Sequence, residues 1–255
     1  MIDTHAHIYS VEFDADRTAV IERAQAAGVK AIVLPNCDST TLQPMLDLEA
    51  DFPGYCFAAI GLHPTSVKQD YKQELLIIES ELKRRKYVAV GEIGMDLYWD
   101  KTYLREQSIT FEQQIQWALA YNLPVIIHVR NALAETIEIM EPYRQKELRG
   151  VFHSFAGSVA DAQKLLSFEG FLLGINGIVS FKNSILPNTL PHIPLDRIIL
   201  ETDSPYLTPT PYRGKRNESS YLQYIVPKIA TIYNKTNEDI VRITKKNAIK
   251  LFDLH

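Results

Sequence analysis

Hydrophobic residues along this chain are concentrated in short, nearly continuous runs, which alternate with longer segments in which apolar residues recur at helical spacing. Such runs are typical of parallel β-strands covered on both faces, because these strands lack the polar and apolar alternation of a half-exposed strand. With the apolar start of the chain counted as the first, the pattern predicts eight strands: residues 1–7, 30–35, 55–60, 87–92, 124–128, 149–153, 171–174 and 197–201.

The segments between these runs predict helices. Helical spacing of apolar residues predicts helices over residues 11–27, 74–86 and 106–121. Ser158 and Thr236 each begin a sequence that is typical of a capped helix start. The predicted strand ends follow one another at intervals of roughly 21 to 36 residues, which is the spacing of a (β/α)8 barrel. We therefore predict an α/β fold, a single (β/α)8 TIM barrel that spans residues 1–255 as one domain.

Composition limits the class of protein. The formal net charge is −4, so the chain does not bind nucleic acid through overall positive charge, and any contact with phosphates must be local. It has no apolar run long enough for a membrane span and no basic-then-apolar leader. Cys37 and Cys56 form no CxxC motif, which favours reduced cysteines over a disulfide. These features predict a cytoplasmic protein without a membrane partner and leave the oligomeric state open, a monomer included.

Histidine and carboxylate side chains stand at the ends of the predicted strands. His5 and His7 are two residues apart, so in a strand their side chains lie on the same face. Four more potential ligands each stand at the carboxyl end of another strand: Glu92, His128, His153 and Asp203. Because the carboxyl ends of the strands form the catalytic face of such a barrel, we predict that all six side chains converge there.

Six ligands exceed what one tetrahedral metal ion requires, since a catalytic site also leaves a position open for water. Two divalent metal ions are the simplest interpretation, with Glu92 between them and a shared water whose pKa is lowered toward neutrality. Mixed nitrogen and oxygen ligands suit Zn, Mn, Fe or Co, and Mg is an alternative where carboxylate and phosphate oxygens dominate.

Seven short motifs resemble, in the same order, those of the TatD-family metal-dependent deoxyribonucleases of the amidohydrolase superfamily. They are DTHAH at 3–7, GLHP at 61–64, GEIGMD at 91–96, IHVR at 127–130, HSF at 153–155, LETDSPYL at 200–207 and RGKRN at 213–217. Met95 and Ser219 depart mildly from the family pattern, and neither is a predicted ligand. The resemblance implies that Glu92 bridges two metal ions, one held also by His5, His7 and Asp203 and the other by His128 and His153.

The resemblance also implies roles in catalysis. Asp203 is then both a ligand and the general base that takes the proton as a metal-bridging hydroxide attacks, and Glu92, Asp203 and His63 form the predicted catalytic set. The family match suggests that His63 and Asp96 orient ligands or contact phosphate, with Asp96 behind the ligands. Hydrogen bonding with a purely structural role is the alternative for both.

Cationic side chains are expected beside the metal centre. Arg213, Lys215 and Arg216 follow the strand that supplies Asp203. Their place favours phosphate binding over a solvated charge cluster, because Arg can form paired hydrogen bonds with phosphate oxygens. Arg130 is predicted to bind substrate in the same way. Several aromatic residues near the predicted rim can stack on bases, with plain packing as the alternative for each: Tyr98, Trp99, Tyr103, Phe155 and Tyr206.

These features predict a metal-dependent hydrolase that cleaves phosphodiester bonds of DNA by removing nucleotides from an end, with single-stranded DNA or chain ends as the expected substrate. The resemblance supplies DNA as the substrate, whereas the residues indicate metal-assisted hydrolysis of an anion. One alternative is a hydrolase of an amide, lactone or aminoacyl ester on the same scaffold, and the basic cluster at 213–216 counts against it. Another is a binding module with an inactive site, and the six intact ligands count against that.

Overall fold

Seven regular parallel strands form the centre of the computed structural model, which describes residues 1–254. The strands are β1 (Ile32–Pro35), β2 (Cys56–Ala59), β3 (Val90–Asp96), β4 (Val125–Arg130), β5 (Gly150–Phe152), β6 (Phe171–Ile175) and β7 (Ile198–Leu200). β1 pairs with β2, and β3 to β7 pair in chain order. A bridge between Ile60 and Val90 joins the two groups. The predicted runs and the observed strands therefore agree for seven of the eight positions.

Residues 3–7 occupy the eighth position, between β1 and β7. The sequence predicts a regular strand here, whereas the structure has isolated bridges from Asp3 to Ile32 and from Ala6 to Ser204. The reason is that backbone donors of this short segment alternate between its two neighbours: the Ala6 N–H donates to Val33 O at 3.1 Å, and the His7 N–H donates to Ser204 O at 2.7 Å. These bonds close the sheet into the predicted (β/α)8 TIM barrel.

Helices surround the barrel, and none within residues 1–254 is long and apolar enough to cross a membrane. Their bounds are α1 (Arg17–Ala26), α2 (Ser39–Asp51), α3 (Tyr71–Arg84), α4 (Leu104–Ala120), α5 (Leu133–Met140), α6 (Val159–Leu166), α7 (Leu186–Thr189), α8 (Leu222–Tyr233) and α9 (Asn237–Phe252). The predicted caps are confirmed, since Ser158 and Thr236 accept backbone hydrogen bonds at the starts of α6 and α9. The helix predicted over 11–27 is divided, because the Arg17 guanidinium binds the carbonyls of residues 8–10 and holds a turn before α1.

Apolar side chains fill the amino end of the barrel. One apolar cluster brings strand residues together with the last turn of α9, so that this helix covers the amino end: Val33, Ala59, Ile126, Val151, Ile199, Leu251 and Phe252. Two positions beyond Ile126 and Val151, on the same strand faces, stand His128 and His153. The polar residues therefore lie in the layer above this apolar cluster, at the carboxyl end of the barrel.

Candidate metal centre

Glu92 lies at the centre of the polar cluster, and its two carboxylate oxygens face different imidazoles. Oε2 lies 3.1 Å from His5 Nε2 and 3.7 Å from His7 Nε2. Oε1 lies 3.2 Å from His63 Nε2, 2.8 Å from His128 Nδ1 and 3.3 Å from His153 Nε2. A carboxylate in this position can place one oxygen toward each of two neighbouring cation positions.

Asp203 completes the side of the cluster that contains His5 and His7. Its Oδ1 lies 3.7 Å from His5 Nε2 and 3.6 Å from His7 Nε2. The residue follows β7 with a φ of +56°, in the left-handed region that Asp tolerates better than most residues, and its N–H donates to His5 O at 2.8 Å. This backbone bond fixes Asp203 beside the first histidine across the point where the barrel closes.

Within residues 1–254, three groups of side chains have ligand atoms within 4.8 Å of one another, and all six predicted ligands belong to them. The groups are His5, Glu92 and His153; His5, His7 and Asp203; and His63, Glu92 and His128. The Nε2 atoms of His5 and His7 lie 3.1 Å apart. This convergence of buried nitrogen and oxygen atoms is what a divalent cation satisfies, so the residues fit the predicted metal centre.

Charge in the cluster is balanced between carboxylates and imidazoles. Burial alone would raise the pKa of Glu92, but the nearby imidazoles of His63, His5 and His153 hold it well below its usual range. Burial alone would lower the pKa of His153, but Glu92, Glu201 and Asp203 together raise it to about 9. The carboxylates are therefore ionised, and without a metal ion His153 carries a proton at neutral pH that a ligated cation would displace.

Two histidines are held from behind by carboxylates. His128 directs Nδ1 at Glu92, and its Nε2 lies 2.9 Å from Asp96 Oδ2. His153 directs Nε2 at Glu92, and its Nδ1 lies 3.2 Å from Glu201 Oε1. Room for the buried Glu201 depends on Gly174, where a Cβ would lie 2.1 Å from Glu201 Oε2. Carboxylates behind a histidine fix the ring orientation and increase its basicity as a ligand.

The other two predicted histidine ligands have no such carboxylate. The Tyr9 hydroxyl donates to Pro35 O at 2.6 Å, so its oxygen accepts from His7 Nδ1 at 2.8 Å. Because Nδ1 donates to Tyr9, Nε2 is the nitrogen of His7 that can bind a cation, and it is directed at Glu92 and Asp203. Within residues 1–254, His5 Nδ1 has no hydrogen-bond partner, and the His5 ring is held by stacking on His153 at 3.7 Å between centroids.

His63 presents a hydrogen-bond donor to the centre. Its Nδ1 accepts from the Thr65 backbone N–H at 3.1 Å. Burial lowers the pKa of His63, so the ring is neutral and Nε2 carries the proton. That N–H lies 3.2 Å from Glu92 Oε1. The ring is therefore placed to donate to Glu92 or to an oxygen of a bound substrate.

A cavity of about 1080 Å³ opens above these residues, and Trp99, Arg130 and Tyr206 contribute to its lining. The cluster of Arg213, Lys215 and Arg216 does not contribute to it. Arg216 forms two 2.8 Å contacts with Asp16. Arg213 stacks on Phe181 and donates to Thr208 O, and Lys215 lies over Tyr212. The structure thus gives Arg216 a partner within the chain, and phosphate binding by this cluster remains a prediction.

Sequence reasoning missed Glu201 and Tyr9 as parts of the centre. A signal for Tyr9 was present, since residues 5, 7 and 9 share one face of an extended chain. Glu201 stands two positions before Asp203 and two after the inward-facing Ile199. No pattern along the chain links Glu201 to His153, because these two residues are brought together only by folding.

Comparison with known proteins agrees with this geometry. A family described as TatD related DNase matches residues 2–253. The chain belongs to this family. An uncharacterized metal-dependent hydrolase of Bacillus subtilis (strain 168) is 38% identical over 256 residues, which is 100% of both chains. A 3'-5' ssDNA/RNA exonuclease TatD of Erwinia tasmaniensis is 30% identical over 260 residues, again 100% of both.

Solved structures agree on the architecture. The crystal structure of a TatD homologue from Escherichia coli K12 has a TM-score of 0.93 and 28% identity, covering 100% of this chain and 98% of that one. A TatD-family hydrolase from Entamoeba histolytica has a TM-score of 0.82 at 21% identity and shows the fold alone. As a TatD-family member, the protein is a metal-dependent hydrolase with the predicted α/β barrel.

Proposed function

We propose that this TatD-family protein is a two-metal nuclease that removes nucleotides from the end of single-stranded DNA, and that residues 1–255 form one metal-dependent hydrolase domain. The observation that carries the proposal is the position of Glu92, whose two oxygens face two separate groups of imidazoles beneath an open cavity. The name of the Erwinia relative, an ssDNA/RNA exonuclease, supports a nucleic acid as the substrate.

The proposed ligand sets follow the two faces of Glu92. His5, His7 and Asp203 would hold one ion, and His128 and His153 would hold the other. Divalent ions held there would lower the pKa of bound water and neutralise the charge that develops on a phosphate. The residues that surround the ligands exclude bulk water, since Glu92 is 2% exposed and His5 is fully buried.

Asp203 is the proposed proton acceptor. Burial alone would raise its pKa, but His153 and His7 lower it, so the carboxylate is ionised and can accept a proton from an attacking water. Its side chain is 15% exposed, which gives it access to the cavity. His63 would donate a hydrogen bond from its Nε2–H to a phosphate oxygen, and Arg130 supplies a cation at the cavity mouth.

A direct test is to incubate metal-reconstituted protein with end-labelled single-stranded DNA, duplex DNA and RNA. We expect a ladder of products that shortens from one end of single-stranded DNA, with no cleavage after chelation or with Glu92→Gln. Glu81→Gln, which changes a carboxylate bound to Tyr87 on the outer surface, is the matched control and should cleave normally. Turnover of a lactone, amide or aminoacyl ester without nucleic-acid cleavage would contradict the proposal.

A further inference from the structure

Trp99 stands exposed at the mouth of the cavity, with the exposed ring of Tyr98 beside it. Tyr98 is 50% exposed and Trp99 is 72% exposed, although burying large aromatic surface is normally favourable. Their rings meet edge to face at 4.7 Å between centroids. Trp99 also lines the cavity above Glu92 and His128. Trp99 therefore presents π surface to whatever occupies the cavity, and Tyr98 supports it from the side.

Arg130 joins this pair to form a cationic and aromatic platform. Its guanidinium carbon lies 3.9 Å from the Tyr98 ring centroid and 5.3 Å from that of Trp99. Within residues 1–254 the structure gives Arg130 no ion pair, whereas Arg216 is paired with Asp16. The cation of Arg130 is thus available to an anion from outside the chain, directly beside the exposed rings.

The platform is tied to the metal centre through Asp96. One carboxylate oxygen of Asp96 lies 2.9 Å from His128 Nε2. Its other oxygen accepts from the Tyr98 N–H, also at 2.9 Å. One buried side chain thereby sets both the orientation of a predicted ligand and the start of the loop that carries the rings. The start of the platform loop is consequently anchored beside the metal centre.

We infer that Trp99, with Tyr98 and Arg130, binds an unpaired nucleobase and its adjacent phosphate next to the cleaved bond. Every base has a π face that can stack on an aromatic side chain, and an arginine beside it can contact the phosphate. In a duplex each base is held by its pairing partner, and both faces of an internal base are covered by its neighbours. The platform therefore selects a single strand, and this inference rests on the proposed nuclease function.

Fluorescence gives a direct measure of stacking, because the chain contains two tryptophans. Trp117→Phe leaves Trp99 as the sole indole. We expect a cleavage-resistant single-stranded oligonucleotide to quench Trp99 in the metal-loaded protein, and an oligonucleotide of the same length without bases to bind more weakly and without quenching. Equal quenching by both would overturn the inference, since the signal would then come from the backbone alone.

Substitutions test the same inference by affinity. Trp99→Ala should weaken binding of the oligonucleotide about 5- to 150-fold, the range for losing one stacked base, and Trp99→Phe should recover most of it. Tyr121→Ala removes another exposed aromatic, one that does not line the cavity, and should bind as wild type. If wild type cuts DNA but Trp99→Ala binds the oligonucleotide within twofold of wild type, the platform inference is wrong and the proposed nuclease function is retained. If the protein neither binds nor cuts nucleic acid, both the inference and the proposed function are wrong.

Discussion

The two sides of the candidate metal centre are held by different chemistry. On the seam side, defined by His5, His7 and Asp203, the hydrogen-bond partners behind the histidines within residues 1–254 are the Tyr9 hydroxyl and Cys37 Sγ, both at His7 Nδ1. On the inner side, defined by His128 and His153, each ring lies against a buried carboxylate. Charge-assisted contacts are roughly twice as strong as neutral ones. The inner side is therefore the more firmly organised, and the seam side instead contributes its carboxylate directly to the centre.

We expect the largest loss from Glu92→Gln, because Glu92 is the one carboxylate that both sides share. Removing its charge should cost several kcal/mol of transition-state stabilisation, on the order of a 10³-fold fall in kcat/KM. Elemental analysis should find fewer than two ions per chain. Retention of two ions and near-normal cleavage would show that the two sides do not depend on a shared bridge.

Asp203→Asn separates the two sides. Loss of the proton acceptor should lower kcat by about 10²-fold, the lower end of what a general base contributes, while the inner side keeps its ligands and its ion. The measurement is metal content together with single-turnover cleavage of single-stranded DNA. Simultaneous loss of both ions would contradict the division, since it would mean that the seam side also holds the inner ion.

Changes behind the ligands should produce smaller effects that differ between the sides. Asp96→Asn and Glu201→Gln should each weaken metal binding on the inner side by about 10- to 100-fold. Tyr9→Phe removes a neutral hydrogen bond worth about 1 kcal/mol, which is about fivefold on the seam side. Calorimetric titration of metal into the apo protein, with Glu81→Gln as the control, checks this order. Equal effects of all three changes on metal affinity would show that the two sides are held equally firmly.

The smallest effects are expected outside the cavity, in the basic cluster that follows the seam side. Arg216→Ala should lower the free energy of unfolding by at most about 1 kcal/mol, because the pair with Asp16 is only partly buried, and should leave the salt dependence of DNA binding unchanged. Replacing Arg213 and Lys215 together should flatten log K against log salt by about 1.4 if each binds a phosphate. Lys83→Ala, in an exposed pair on α3, is the control. An unchanged slope would assign the cluster to the solvated surface.

Much of the fold could be predicted because parallel strands bury both faces and leave continuous apolar runs, such as the run that became β4. The segment at residues 3–7 was harder, since its backbone donors divide between β1 and the residues after β7 and form no regular ladder. The helix α8 has Pro227 in its interior. A proline normally ends a predicted helix, so the hydrophobic pattern of this segment was not recognised as helical. Strand order therefore followed from sequence, and the details of closure did not.

The metal-centre residues could be predicted to converge because each stands at a strand end, and the structure brings all six together. Their hydrogen-bond partners could not, as the pair of His153 and Glu201 illustrates. Nothing near either residue in the chain indicates the other, and the space for Glu201 comes from a third strand through Gly174. For the basic cluster, proximity in sequence was misleading. Arg216 follows Asp203 closely along the chain but does not line the cavity, because its guanidinium pairs with Asp16.

Closure of the barrel at residues 3–7 also determines when the candidate metal centre can form during synthesis of the chain. The Thr202 hydroxyl donates to Asp3 Oδ2 at 2.6 Å across 199 positions, and Asp203 is held by the carbonyl of His5. A ribosome synthesises the amino end first, at about 5 to 20 residues per second. His5 and His7 are therefore made well before Asp203. The growing polypeptide therefore holds no complete set of the six predicted ligands until residue 203 has been added.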